Sequence, residues 1–155
     1  MIRPAPAVLL LLASCGYRVG GLYEDYRAGV RVDIFDNQTE RRTQEFDLTS
    51  TITREMASRG LRVNVPGAPC TLRGQIRSMR TPSVVEGQAD AVLVGSLYIL
   101  LEIELVNDQG KSIWSDRKAE AVSFTSSRGE SLETARREAF DRLARWVVTH
   151  FEKEW

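Results

Sequence analysis

Five large apolar residues stand at alternate positions in one run of the chain: Leu97, Ile99, Leu101, Ile103 and Leu105. Tyr98, Leu100, Glu102 and Glu104 lie between them. Alternation at period two places one set on each side of an extended backbone, so this run predicts a strand with one buried face. The strand should run from about Val92 to Val106, and the two glutamates make its other face wet toward the end. Asn107-Asp108-Gln109-Gly110 supplies turn formers for a hairpin. The returning strand, Lys111 to about Thr125, carries Asp116, Arg117, Lys118 and Glu120 in its middle. Such charges suit an edge strand that resists further pairing. Which of its faces is buried stays open.

The rest of the chain supplies the elements that can cover this sheet. Val30, Val32 and Ile34 alternate in a first strand, Val30–Phe35, which Asp36-Asn37-Gln38-Thr39-Glu40 terminates. Asn37 and Glu40 have capping-box spacing. A helix is predicted from about Glu40 to Arg59, with Leu48, Ile52 and Met56 four apart and Phe46, Thr49 and Thr53 flanking them. Gly60 closes it. Leu61–Val65 reads as a short strand ended by Pro66-Gly67-Ala68-Pro69. Cys70 to about Arg80 reads as a longer one, with Leu72, Gly74 and Ile76 on one face and Arg73, Gln75 and Arg77 on the other. Pro82 to Asp90 forms a loop. Ser127 and Glu130 again have capping-box spacing before a last helix, about Glu130 to Glu152. Its stripe is Leu132, Ala135, Ala139, Leu143, Trp146 and Val147. Its outer face offers Glu133–Arg137, Glu138–Arg142 and Asp141–Arg145, acid before base at i, i+4. Two helices amphipathic on one side each predict an α+β fold. It is a two-layer sandwich with both helices on one face of a mostly antiparallel four- or five-stranded sheet.

The amino-terminal stretch Leu9-Leu10-Leu11-Leu12-Ala13-Ser14-Cys15-Gly16-Tyr17 belongs to a different kind of chemistry. Its apolar run is too short to cross a bilayer, which needs about 20 residues. It suits the apolar segment of a secretory signal, followed by small residues at a cleavage point. Leu12-Ala13-Ser14-Cys15 resembles the bacterial lipobox. The resemblance implies cleavage before Cys15, a diacylglycerol thioether on its sulfur and an acyl chain on its new amino group. Several chains on one residue hold a protein at a bilayer stably, where a single chain does so only marginally. Residues 1–14 are then signal peptide, 15–28 a lipid-anchored tether and 29–155 a single domain.

Loss of Arg3 with the signal tips the balance of 21 Lys+Arg against 21 Asp+Glu by one charge to the acidic side. A nucleic-acid binder normally shows a clear basic excess. With Cys15 acylated, Cys70 has no partner and is most simply a small buried hydrophobe. A Cys15–Cys70 disulfide in an oxidising compartment is the alternative. His150 is the only histidine, near the end of the last helix beside Trp146, Val147 and Glu154, and reads as structural. One histidine and one free cysteine assemble no metal set. Glu102 and Glu104, two apart on one strand, point the same way rather than across a cleft. No serine sits in a G-x-S-x-G elbow, and Gly20-Gly21 lacks the strand-turn-helix context of a phosphate loop. The expectation is therefore no enzyme, no cofactor and no metal. Arg73, Arg77 and Arg80 form a basic row and a candidate contact for an anionic lipid head group, because guanidinium groups grip phosphate bidentately. Cross-strand pairing with Glu102 and Glu104 on a solvated face is the alternative, and ordinary sheet chemistry favours it.

Cys15-Gly16-Tyr17-Arg18, then Val32-Asp33-Ile34-Phe35-Asp36-Asn37-Gln38-Thr39-Glu40, then a final amphipathic helix ending in Trp155, together resemble the LPS-assembly lipoprotein family (LptE-like). The second stretch is similar to the family's V-x-x-F-x-N-x-T run before a helix. Gly16 after the cysteine is similar to lipoproteins sorted to the outer membrane. The resemblance implies a non-enzymatic lipoprotein on the periplasmic face of the Gram-negative outer membrane. It would plug the large β-barrel LPS translocon (LptD-like), help that barrel assemble and bind LPS. F-x-N-x-T also occurs in other envelope lipoproteins, so an adapter or activator of a peptidoglycan synthase or secretion channel is the alternative.

Overall fold

A computed structural model describes residues 26–40, 43–82 and 94–152. Cys15 with its flanking signal and most of the tether, the expected strand start at Val92, and Trp155 lie outside the described residues. The elements are β1 (Val30–Val32), β2 (Asp36–Asn37), α1 (Gln44–Ser58), β3 (Cys70–Arg80), β4 (Val94–Asn107), β5 (Ser112–Thr125) and α2 (Leu132–Thr149). The sheet order is β1-β3-β4-β5, with β2 also paired to β3, so the sheet has five strands. β1 and β2 run parallel to β3, while β3, β4 and β5 form an antiparallel meander. Both helices cover one face, giving the expected α+β sandwich.

The alternation in β4 does what its period requires. Leu97, Ile99, Leu101, Ile103 and Leu105 are buried and form the floor of the core. Leu48, Ile52 and Met56 of α1 and Ala135, Ala139, Leu143 and Val147 of α2 close over it. The hairpin forms at the expected turn. The Asn107 Oδ1 accepts from the Gln109 and Lys111 N–H groups at 3.0 and 2.8 Å, and Gly110 takes a left-handed φ of 75°.

Four local expectations are corrected. First, Val30–Phe35 is not one strand. Val32 lies opposite Leu72 and Asp36 opposite Gln75, so the edge carries one residue more than β3 does. A single extra residue reverses the facing of every residue after it. Ile34 is 61% exposed, and Phe35 is turned inward and buried. The Phe35 N–H donates to Thr49 Oγ1 of α1 at 3.0 Å. Second, Asn37 and Glu40 build no capping box. The Asn37 Oδ1 accepts from the Thr39 N–H at 2.9 Å, a local turn, and α1 starts later, after Thr43 in a left-handed conformation. Phe46, two residues and so about 200° of helix away from buried Leu48, is 53% exposed rather than flanking the stripe. Third, Leu61–Val65 is no strand but makes a single bridge, Val63 to Val30. Its Asn64, at a φ of 55°, accepts the Val32 N–H on Oδ1 at 2.8 Å and donates its own N–H to the Val30 carbonyl at 2.9 Å. This segment covers the outer edge of β1. Fourth, α2 is capped by Ser131 with Thr134, while Glu130 instead accepts the Thr125 N–H at 2.7 Å.

The charged strand β5 is an edge, and its even-numbered residues face the helices. Val122 is buried, and Trp114 and Phe124 pack against the core. Phe124 fills the space above Gly95, its partner across the ladder, where a Cβ would collide with the ring.

Candidate functional site

Among the described residues nothing covers the sheet face opposite the helices, and the three candidate arginines lie on this bare face. A bulge in β3 is responsible. Ile76 lies opposite Leu101 but Ser78 lies opposite Leu100, so Arg77 is the extra residue. Without it, Arg80 would share the facing of buried Ile76. With it, Met79 turns into the core, and Arg80 joins Arg73 and Arg77 on the bare face.

The three differ in their partners. The Arg73 Nε lies 3.6 Å from Asp33 Oδ2, although Glu104 is its neighbour in register. The Arg77 Nε donates to Glu102 Oε2 at 2.6 Å and its Nη1 to Gln38 Oε1 at 3.0 Å. Arg80 makes no ion pair among the described residues and lies over the Tyr98 ring, 5.3 Å from its centroid. Cross-strand pairing with Glu102 thus holds for Arg77 and fails for Arg73 and Arg80. A shallow trough of about 310 Å³ is lined by Arg73, Arg77, Glu102, Glu104 and Asp36 with Gly74, Gln75 and Ile103. Arg80 and Tyr98, with Thr81 and Pro82, line a separate, more apolar depression of about 550 Å³.

On the helix-covered face, β5 charges whose facing the sequence left open are tied to α2. The Arg142 Nη1 donates to Glu120 Oε1 at 3.0 Å and its Nη2 to Glu138 Oε1 at 2.7 Å, which favours the charged guanidinium. Lys118 lies over the Trp146 ring at 5.9 Å. His150 is built into the packing between α2 and β5. Its Nε2 lies 2.9 Å from Asp116 Oδ2, its Nδ1 lies 3.1 Å from the Trp146 carbonyl, and its ring stacks on Trp114. The contact with His150, together with the Arg117 N–H, holds the Asp116 carboxyl below its usual value. The expected pairs Glu133–Arg137 and Glu138–Arg142 form, whereas Asp141–Arg145 does not. Tyr26 meets Phe151 edge-on, and its hydroxyl lies 3.3 Å from Trp114 Nε1, so domain packing begins by this residue. The Cys70 thiol is buried, donates to the Gly29 carbonyl at 3.7 Å and is pushed up in pKa by burial.

Among the described residues no cluster of histidine, cysteine and carboxylate could hold a metal ion. Nor is any described helix long and apolar enough to cross a membrane. The LptE lipopolysaccharide-assembly family matches residues 28–151, which contain all five strands and both helices. The chain belongs to that family. LptE membership gives it a role in lipopolysaccharide assembly among the lipoproteins of the cell envelope. No curated protein matches the chain. Among solved structures, a minor lipoprotein of Acinetobacter baumannii is similar at 12% identity and a TM-score of 0.54, covering 81% of this chain and 90% of that one. PelC of Paraburkholderia phytofirmans, solved as a dodecamer, is similar at 16% identity and a TM-score of 0.58, covering 88% and 94%. At these identities the likeness shows a shared fold.

Proposed function

We propose that this LptE-family chain is a lipid-anchored, non-enzymatic partner of the β-barrel that exports LPS across the outer membrane. Cys15 anchors it on the periplasmic side, and the bare face of the sheet meets the barrel wall. The observation that carries this reading is the one-sided architecture. Two helices bury one face of the sheet, while the other keeps Leu100, Tyr98, Ala119 and Ala121 beside a mixed set of charges. A face of that kind suits a protein wall better than a small substrate. Among the described residues Arg80 alone of the three has no carboxylate partner, which makes it the candidate contact for an LPS phosphate, whereas Arg73 and Arg77 already hold carboxylates.

The test is a crosslinked pull-down of the full-length protein from its native membranes beside Cys15→Ala. A large outer-membrane barrel in the wild-type lane, with Cys15→Ala released to the soluble fraction, is the expected result. A peptidoglycan synthase or secretion component in place of the barrel would move the function to an envelope adapter. Equal solubility of the two proteins would remove the anchor. For the lipid contact, Arg80→Ala is expected to lower LPS binding more than Arg77→Ala. The reverse order would return Arg80 to a purely structural role.

A further inference from the structure

The single histidine of the chain stands between β5 and the end of α2, and each of its ring nitrogens faces an acceptor. Nε2 lies 2.9 Å from the Asp116 carboxylate of β5, and Nδ1 lies 3.1 Å from the Trp146 carbonyl in the last turn of α2. Neither partner has a proton to give. The Trp146 carbonyl already accepts from Thr149 Oγ1 at 2.7 Å, and Asp116 stays ionised because its carboxyl is held below the usual range. A neutral imidazole has one N–H and would set its bare nitrogen against one of these oxygens, whereas an imidazolium donates to both. A helix C-terminus also favours the charged ring. The ring stacks on Trp114 with 4.9 Å between centroids and meets Trp146 at right angles at 5.1 Å. The other charges on this side are engaged elsewhere. Lys118 lies over Trp146 and 3.5 Å from Glu120, and Glu152 accepts from Arg59 at 3.1 Å.

Trp114 links this ring to the start of the described domain. Its indole Nε1 donates to the Tyr26 hydroxyl at 3.3 Å, and Tyr26 and Trp114 both meet Phe151 edge-on, at 5.0 and 5.6 Å. Phe151 follows His150 directly and is fully buried. The Gly29 N–H closes a turn on the Tyr26 carbonyl at 3.1 Å. We propose that His150 is a proton-operated clasp: as an imidazolium it holds the root of the amino-terminal segment, at Tyr26, against β5 and α2, and on losing its proton it releases that root. Deprotonation sets a lone pair of the ring against a lone pair of one partner. The ring then leaves either Asp116 or the Trp146 carbonyl and withdraws from Trp114. Without that stack Trp114 no longer fixes Tyr26, so residues 26–29 loosen while the core behind Phe151 stays packed. The clasp depends neither on the anchor at Cys15 nor on a barrel partner.

The test uses the full chain in detergent micelles with its histidine labelled with nitrogen-15, and a single histidine leaves one ring to observe by magnetic resonance. Both ring nitrogens are expected to carry protons at pH 5.5, and only one at pH 9. Hydrogen exchange of residues 26–29 is followed by mass spectrometry and corrected for the intrinsic effect of pH. It is expected to quicken roughly threefold or more over the same change, the scale of an exposed ion pair. Asp116→Asn separates the proton from packing, because an amide can turn its oxygen toward an imidazolium or its nitrogen toward a neutral ring. Corrected exchange at 26–29 in that variant should be the same at both pH values. A ring with one N–H at pH 5.5, or wild-type exchange at 26–29 indifferent to pH, would overturn the clasp. So would a full wild-type pH response in Asp116→Asn.

Discussion

Phe35 occupies the space that Gly74 leaves open on the inner face of β3, so that a Cβ at residue 74 would collide with the buried ring. The pair joins two irregularities. The extra edge residue after β1 turns Phe35 inward, and the missing side chain at Gly74 gives it somewhere to go. Gly74→Ala is therefore expected to destabilise the fold by about 1–3 kcal/mol, the usual cost of overpacking. Phe35→Ala should cost about 3–5 kcal/mol. Urea unfolding of both variants and of the double variant checks the coupling. Energies that simply add would show that the two residues do not share this space.

The cap of α2 is Ser131, not the Ser127 that capping-box spacing predicted. The Ser131 Oγ accepts the Thr134 N–H at 3.2 Å, and the Thr134 Oγ1 accepts the Ser131 N–H at 2.8 Å. Ser131→Ala should cost about 1 kcal/mol, the typical value of a lost N-cap. Ser127→Ala, at the position that capping-box spacing would have chosen, should lie within about 0.5 kcal/mol of wild type. Thermal unfolding of the two single variants distinguishes them.

The Asp116–His150 contact has a pH signature. In the folded chain the carboxyl of Asp116 is held below its usual value, chiefly by the hydrogen bond with His150. A group with a lowered folded pKa contributes stability above its unfolded value, about 3.9 for aspartate. That contribution disappears as pH falls through the folded value. Asp116→Asn should thus be less stable than wild type at pH 6, and the difference should close toward pH 2. Because the Asp116 side chain is 48% exposed, the effect at pH 6 should stay below about 1 kcal/mol. Urea midpoints at the two pH values measure it.

Arg142 bridges the sheet and its own helix through Glu120 and Glu138. The Glu120 side chain is only 11% exposed, so removing Arg142 leaves a nearly buried carboxylate with Lys118 at 3.5 Å. Arg142→Ala is expected to lower the unfolding midpoint more than Arg137→Ala, whose guanidinium sits on the open surface at 3.7 Å from Glu133. Glu120→Gln in the Arg142→Ala background should recover part of the loss. Failure of that rescue would show that lost packing, rather than the stranded charge, sets the cost.

Periodicity alone carried much of this protein. The alternation of Leu97 to Leu105, the turn at Asn107–Gly110 and the Leu48/Ile52/Met56 and Ala139/Leu143/Val147 stripes are local patterns. Burying them on one side leaves little choice beyond two helices on one sheet face. The basic row of Arg73, Arg77 and Arg80 was legible as residues, and the pairing of Arg77 with Glu102 as ordinary cross-strand chemistry. What the tertiary structure decided depends on residues distant in sequence. A one-residue excess opposite β3 exchanged Ile34 for Phe35, and a bulge opposite Leu100 carried Arg80 to the bare face. Facing in a strand has period two, so any unpaired residue inverts it, and no local pattern announces where the partner strand skips. The charged strand β5 could face either way until α2 brought Arg142, Trp146 and His150 against Glu120, Lys118 and Asp116. Its inward side was chosen by partners at the other end of the chain.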